Sequence, residues 1–487
     1  MSIRVEASDF HVLNMKTRMP FKYGIASLSV VPHLFVSLSV KVDGRAQRGL
    51  ASEGLPPKWF TKDPATTFRQ DLDDMLDVIR TACDTVIECG EADTVFDLWW
   101  ETYVRQRDWA RSKGYPPLLG AFGVSVVERA LIDAFCRARG VPFATAVRSN
   151  LLGMRLERMH EELAGSECVG LLPEAPLRSV YARHTVGLAD PLTERDVADV
   201  GRLDDGLPQS LEASIATYGL RRLKIKVTSE VEPSVDRLVA VARVVESGEW
   251  DCSFSLDGNE FFRDVDSLRT FWESIHAVPK LARFMERLLF VEQPLHRDVA
   301  LTEEVASELL AWKQRPPIII DESDGEIDSA RRALASGYAG TSHKNCKGVF
   351  KGIANACLLE SRRRRSGARD AYILSGEDLA NVGPVALCQD LAVMATLGID
   401  HVERNGHHYF RGLSMYPEGV QRQVIEHHGD LYGRNPEFGF ASLGIEDGRV
   451  RLGSVVDAPF GVGFELDPRD YVPLDDWTFE TLGAVEE

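Results

Sequence analysis

The sequence predicts two domains, one of them a closed α/β barrel of eight parallel strands, from three observations. At 487 residues the chain exceeds what one ordinary core organises. Its first part alternates apolar and polar residues and then turns helical, whereas from about residue 179 short apolar strands are separated by helical stretches. Charged residues on those strands recur at Lys224, Asp257, Glu292, Asp321, Lys344, Glu377 and Glu403, with successive gaps of 33, 35, 29, 23, 33 and 26. A strand, crossover helix and loops need about 30 residues, so the interval is that of a repeated βα unit. Eight such strands close into a barrel. An open doubly wound sheet fits less well, because no glycine-rich phosphate loop follows the first strand.

Taken in order, residues 1–175 form an α+β domain. HLFVSLSVKVDGR has strand alternation, and Asp43-Gly44 marks a hairpin turn. In FGVSVVERALIDAFCRARG the pairs Val126/Val127, Ala130/Leu131 and Ala134/Phe135 repeat every four residues, and Gly140 can end that helix. Residues 176–425 carry the barrel strands SVYARHTVG, LKIKV, FSLDGN, LLFVEQP, PIIIDES, TSHKNCK, YILSGED and HVERN. Residues 426–487 become strand-like again in ASLGIEDGRVRLGSVVDAPFGVGFELD, and this segment is expected to pack back on the first domain.

A net charge of −18 argues against nucleic acid or an anionic membrane as partner. The basic run Arg362 to Arg365 suits the solvated end of a helix. Eight scattered cysteines without a CxxC pair suit a reducing cytoplasm. MSIRVEASDF has no apolar signal core, and SLSVVPHLFVSLSV, broken by Pro32 and His33, suits strands better than a membrane span.

In LKIKV, Lys224 and Lys226 are two apart and point to one side of a strand. On a surface strand this pattern is ordinary; inside a barrel two cations require compensation. FSLD, LLFVE and PIIID end three successive strands in Asp257, Glu292 and Asp321. Acids at strand ends often cap the next helix, but three in succession at one barrel mouth would repel, and a divalent cation resolves the repulsion. Hard oxygen ligands with open positions suit Mg²⁺, and no histidine at ligand spacing speaks for zinc. Lys344 on the sixth strand would face the LKIKV lysines across the mouth. Near a metal and out of bulk water, a lysine there is expected to have a depressed pKa and to act as a base. The chemistry that uses such groups is abstraction of a proton α to a carboxylate.

The order LKIKV, LDGN, VEQP, DES, HKNCKG resembles the enolase superfamily, specifically its muconate lactonizing enzyme-like branch, within the mandelate racemase/muconate lactonizing enzyme group. MPFKYGIASL resembles the loop that closes over the site, ERALIDAF a helix of the capping domain, and IEDGRV…FGVGFELD the returning C-terminus. The resemblance implies a modified (β/α)7β TIM barrel with an α+β N-terminal capping domain, and one essential Mg²⁺ on Asp257, Glu292 and Asp321. It implies Lys226 and Lys344 as acid/base groups, with Lys224 beside Lys226, and Asn259 near the metal.

Several positions depart from the pattern. Glu322 follows Asp321 and is an alternative third ligand. Lys347 is a rival to Lys344, although strand alternation would put the two on opposite sides. Either Glu377 or Asp378 in SGEDLANVG matches the acid-bearing segment of the seventh strand. His401, His407 and His408 are structural or rim histidines, with a lesser prospect of reaching substrate. Tyr23, Lys22 and Trp59 are expected in loops over the mouth, where Tyr23 would contact substrate.

The expected function is an isomerase, either a racemase/epimerase or a cycloisomerase, acting on a small carboxylate. A dehydratase of a hydroxy acid or acid sugar is the alternative lyase outcome. A non-catalytic carboxylate-binding metal protein is the alternative of another class, and a metal-dependent barrel hydrolase would not need the lysines. Association into a homo-oligomer is expected by analogy.

Overall fold

A computed structural model describes residues 1–434 and 437–484 of the chain. The N-terminal domain is an antiparallel meander of β1 (Ile3–Tyr23), β2 (Ala26–Val42) and β3 (Arg45–Gly54), with the short β4 (Glu91–Ala92) beside the start of β1. Asp43 and Gly44 have φ of 48° and 78°, the twist that a two-residue hairpin turn requires. Three helices cover one face: α1 (Phe68–Glu88), α2 (Val95–Lys113) and α3 (Pro117–Arg139). Thr67 and Gln70 form a capping box at the start of α1, and Gly140, at φ 61°, ends α3. The sheet and α3 touch backbone to backbone at Gly49, where a Cβ would stand 1.9 Å from the Ala130 carbonyl oxygen.

The second domain is the closed parallel barrel. Its strands are β5 (Ser179–Val186), β6 (Arg222–Lys226), β7 (Ser253–Asp257), β8 (Leu288–Glu292), β9 (Ile318–Ile320), β10 (Gly340–His343), β11 (Ile373–Gly376) and β12 (His401–Arg404). Each is hydrogen-bonded to its successor, and β12 pairs with β5 to close the ring. The register aligns Lys226 with Asp257 and Asp257 with Glu292. Glu292 pairs with Ile319, so Asp321 rises beyond that level, just past β9.

After the barrel come the hairpin β13 (Tyr432–Arg434) and β14 (Ala441–Leu443), then β15 (Arg449–Arg451), antiparallel to β5. The last strand, β16 (Val472–Pro473), pairs with His11 and Val12 of β1. Tyr471 stacks on Phe35 with ring centroids 4.7 Å apart. The tail and α3 thus cover both faces of β2, and residues 31–38 are buried without alternation.

Helix α3 also joins the domains. Glu128 accepts hydrogen bonds from the backbone N–H of Val349 (2.9 Å) and Phe350 (2.6 Å), the start of the helix Val349–Ser366 that follows β10. Its neighbour Arg129 pairs with Glu53 of β3 at 3.1 Å. Among the described residues no helix is long and apolar enough to cross a membrane.

Candidate active site

Both lysines of LKIKV point into the barrel, Lys224 2% exposed and Lys226 4%. A pocket of about 590 Å³ lies over them, between the strand ends and the capping domain. Lys226 Nζ donates to Asp257 Oδ2 at 3.1 Å and to Asn259 Oδ1 at 2.8 Å. Across the mouth, Lys344 Nζ donates to Asp321 Oδ2 at 2.7 Å and lies 4.4 Å from the Trp59 ring centroid. Residue 226 on β6 and residue 344 just past β10 are four strands apart in a ring of eight, and both line the pocket.

Lys224 sits at a different kind of position. Its Nζ is 2.9 Å from Glu292 Oε1, 2.9 Å from Glu377 Oε2, 3.1 Å from Asp257 Oδ2 and 3.1 Å from Glu403 Oε2. Four strands therefore aim carboxylates at one ammonium. Glu377 is also held by the Arg183 guanidinium and the Ser375 hydroxyl. Glu403 accepts from Thr185 Oγ1 at 2.7 Å and from the Asp378 backbone N–H at 2.9 Å.

Around Lys224 and Lys344 the carboxylates by themselves act against the drop in lysine pKa expected beside a metal ion. Burial pulls Lys224 down, but Asp257, Glu292, Glu377 and Glu403 together raise it well above the usual lysine value. Burial likewise lowers Lys344, and Asp321 more than offsets it, so that ammonium too is held protonated. Sequence reasoning weighed desolvation and a neighbouring metal ion, and left out the number of carboxylates at contact distance. The acids respond in opposite directions. Burial opposes ionisation of Asp321, yet Lys344, Lys347 and Lys224 hold it well below the carboxylate range. Burial and the nearby Glu377 drive Glu292 well above that range. Burial beside Asp321 and Glu260 moves Glu322 up to about 7.

Lys347 corrects a second expectation. Strand β10 ends at His343 and Asn345–Lys347 form a 3₁₀ turn, so strand alternation no longer applies there. Lys347 Nζ returns to the carboxylate that Lys344 holds, 3.0 Å from Asp321 Oδ1 and 2.8 Å from the Ser342 carbonyl oxygen. Lys344 lines the pocket; Lys347 lies beneath it. Asp378 also lines the pocket, accepting the backbone N–H groups of Asn381 (2.8 Å) and Asn405 (3.1 Å), whereas Glu377 lies deeper in the barrel. Asp321 and Glu322 both line it.

Asp257, Glu292 and Asp321 bring hard oxygens from three successive strand ends, the donor chemistry of a Mg²⁺ site. Glu292 Oε2 is buried with no hydrogen-bond partner, an orphaned acceptor such an ion would satisfy. The donors fit in kind. Among the described residues, however, no three carboxylate, thiol or imidazole groups surround a common point as a ligand set. Asp257 and Glu292 meet instead on the Lys224 ammonium.

The capping domain closes the pocket with Phe21, Tyr23, Pro56 and Trp59. The Tyr23 hydroxyl donates to the Pro57 carbonyl oxygen at 2.8 Å, which fixes the ring within the cap, while the side chain of Lys22 faces away and is exposed. Sequence reasoning missed the contacts that bind this loop to the barrel. Asn259 and Glu260, at φ 39° and 62°, turn the chain sharply after β7. Glu260 accepts from Lys62 at 3.1 Å and from Arg297 at 2.7 and 2.8 Å. Arg297 also donates to the carbonyl oxygens of Trp59 (2.9 Å) and Phe60 (2.6 Å). These three residues come from different loops, and no local spacing signals their meeting. The histidines stand outside the pocket: His401 contacts Arg183 at 2.8 Å, and His407 and His408 pack around His184.

Neither a protein-family model nor a curated protein matches the sequence. Solved structures do. A 2-chloromuconate cycloisomerase from Rhodococcus opacus 1CP is 14% identical, covering 96% of this chain and 99% of its own, with a TM-score of 0.60. An N-succinyl Arg/Lys racemase from Bacillus cereus is 15% identical, over 96% and 98%, at 0.58. An enolase from Bradyrhizobium complexed with magnesium and mandelic acid is 13% identical, over 96% of each chain, at 0.55. The likeness is one of fold. It is a fold shared with solved structures that include a mandelate racemase/muconate lactonizing protein, and it agrees with the fold expected from the order LKIKV to HKNCKG.

Proposed function

We propose that this protein is an isomerase that moves the proton α to the carboxylate of a small substrate, with Lys226 and Lys344 as the two acid/base groups. One observation carries the reading: two buried lysines line one pocket, each reaching it from an opposite side of the barrel. In each turnover one lysine takes part as the free amine, a state Lys344 would reach only once Asp321 no longer holds its ammonium. That amine takes the α-proton into its lone pair as the C–H bonding pair passes into the substrate carboxylate as an enediolate. The other begins as the ammonium and gives a proton to the opposite face of the same carbon. The substrate is inverted, and the two lysines have exchanged protonation states, so the next turnover runs from the other side. Asp257, Glu292 and Asp321 would hold Mg²⁺. When bound, the ion supplies positive charge where the negative charge of the deprotonated substrate develops. Phe21, Tyr23 and Trp59 exclude water and bear on the part of the substrate remote from the carboxylate.

The fold supports this reading, since proteins of the same fold include a racemase and a cycloisomerase. The test is a screen of N-acylamino acids, hydroxy acids and lactones in deuterated water with Mg²⁺ present. The expected result is deuterium at the α-carbon with the carbon skeleton intact. Loss of water to a keto acid makes the enzyme a lyase instead. Carboxylate binding with no exchange from any compound supports the non-catalytic alternative.

A further inference from the structure

The convergence of four acids on Lys224 goes beyond what two-base chemistry needs. At the described strand ends Asp257, Glu292, Asp321, Glu377 and Glu403 are each paired with one or more of Lys224, Lys226, Lys344, Lys347 and Arg183. These acids therefore hold cations of their own before a divalent ion arrives. An ion seated between Asp257 and Glu292 would stand beside the Lys224 ammonium, and two such charges at contact distance repel strongly in a buried site. Glu377 and Glu403 lie outside the three acids suited to a metal, and they too hold Lys224, at 2.9 and 3.1 Å. They give its flexible stem a place to withdraw to without leaving a charge unpaired.

We propose that Lys224 is a built-in counter-cation: its ammonium holds the cation position of the acid cluster, and a divalent ion binds there by pushing it back onto Glu377 and Glu403. The proposal rests on the carboxylates named above as Mg²⁺ ligands, and it adds that ion binding is opposed and reversible. Folding then does not depend on the ion, unlike a site whose acids only repel one another.

The experiment is a calorimetric titration of the full-length protein with Mn²⁺ and with Mg²⁺, on the wild type and on Lys224→Met. The variant is expected to bind Mn²⁺ at least tenfold more tightly, and its unfolding midpoint, lowered without metal, is expected to recover when Mn²⁺ is added. Equal or weaker affinity in the variant overturns the proposal. Should the variant not fold, wild-type crystals grown with and without Mn²⁺ decide. Without the ion, Lys224 Nζ should lie within hydrogen-bond reach of Asp257 and Glu292; with it, Nζ should lie only against Glu377 and Glu403. An Nζ that occupies one position in both crystals overturns the proposal. Neither result bears on α-proton exchange by Lys226 and Lys344, so failure of this proposal and failure of the isomerase reading are told apart.

Discussion

Lys226 and Lys344 each spend their resting state on a carboxylate, Asp257 and Asp321, and it is their side-chain nitrogens that the proposed chemistry uses. Replacing either by alanine should lower turnover by roughly 10²–10⁴-fold, the usual worth of a positioned acid/base group, measured on the substrate the exchange screen identifies. The lysines and the three strand-end acids were legible in the sequence, because period-two geometry and strand spacing fix which side chains enter a barrel. Lys347 was not, because a 3₁₀ turn replaces the strand there. A residue outside the site gives a separate test. His33 is buried, bonded to Ser52 Oγ at 3.0 Å, and burial with Arg129 nearby lowers its pKa from 6.5 to about 3. The unfolded chain therefore takes up a proton below pH 6.5 that the folded chain refuses until near pH 3. Stability from this group is present above pH 6.5 and is lost as pH falls, by about 2 kcal/mol at pH 5. In urea titrations at pH 7 and pH 5, His33→Gln should lose less stability between the two than the wild type does; equal losses would remove His33 from the acid response.

Two elements set the position of the cap over the barrel mouth. One is the loop from Leu55 to Thr67, held by Glu260 through Lys62 and Arg297. Arg297→Ala removes donors to two loop carbonyls and to Glu260, so the loop should exchange its amide hydrogens faster and KM should rise more than kcat falls. An unchanged exchange rate in residues 55–67 would show that other contacts hold the loop. The other element is α3, whose Glu128 caps the helix after β10. Glu128→Ala leaves those two N–H groups without a partner and should cost about 1–2 kcal/mol in chemical unfolding. The sequence showed α3 by its four-residue apolar repeat and its Gly140 stop. It did not show the Glu128 contact, because that partner lies 221 residues away.

Across the whole molecule, the barrel and the cap are tied by a chain that leaves the first domain, builds eight strands and returns to β1 through β16. The regular recurrence of a charged residue on each strand made the barrel readable, since a closed ring repeats one local unit. The burial of β2 on both faces was less so, because one cover, Tyr471, comes from the far end of the chain. Tyr471→Ala should cost roughly 3 kcal/mol, seen as a lowered unfolding midpoint. The central claim is that two amines on opposite sides of one pocket exchange a proton with the same carbon. Solvent-deuterium exchange followed by NMR on separate enantiomers of a turned-over substrate tests it most directly. Lys226→Ala should still exchange the α-proton of one enantiomer only, and Lys344→Ala that of the other only. If either variant exchanges both enantiomers, or if both variants keep the same one, the lysines do not act from opposite faces and the account is contradicted.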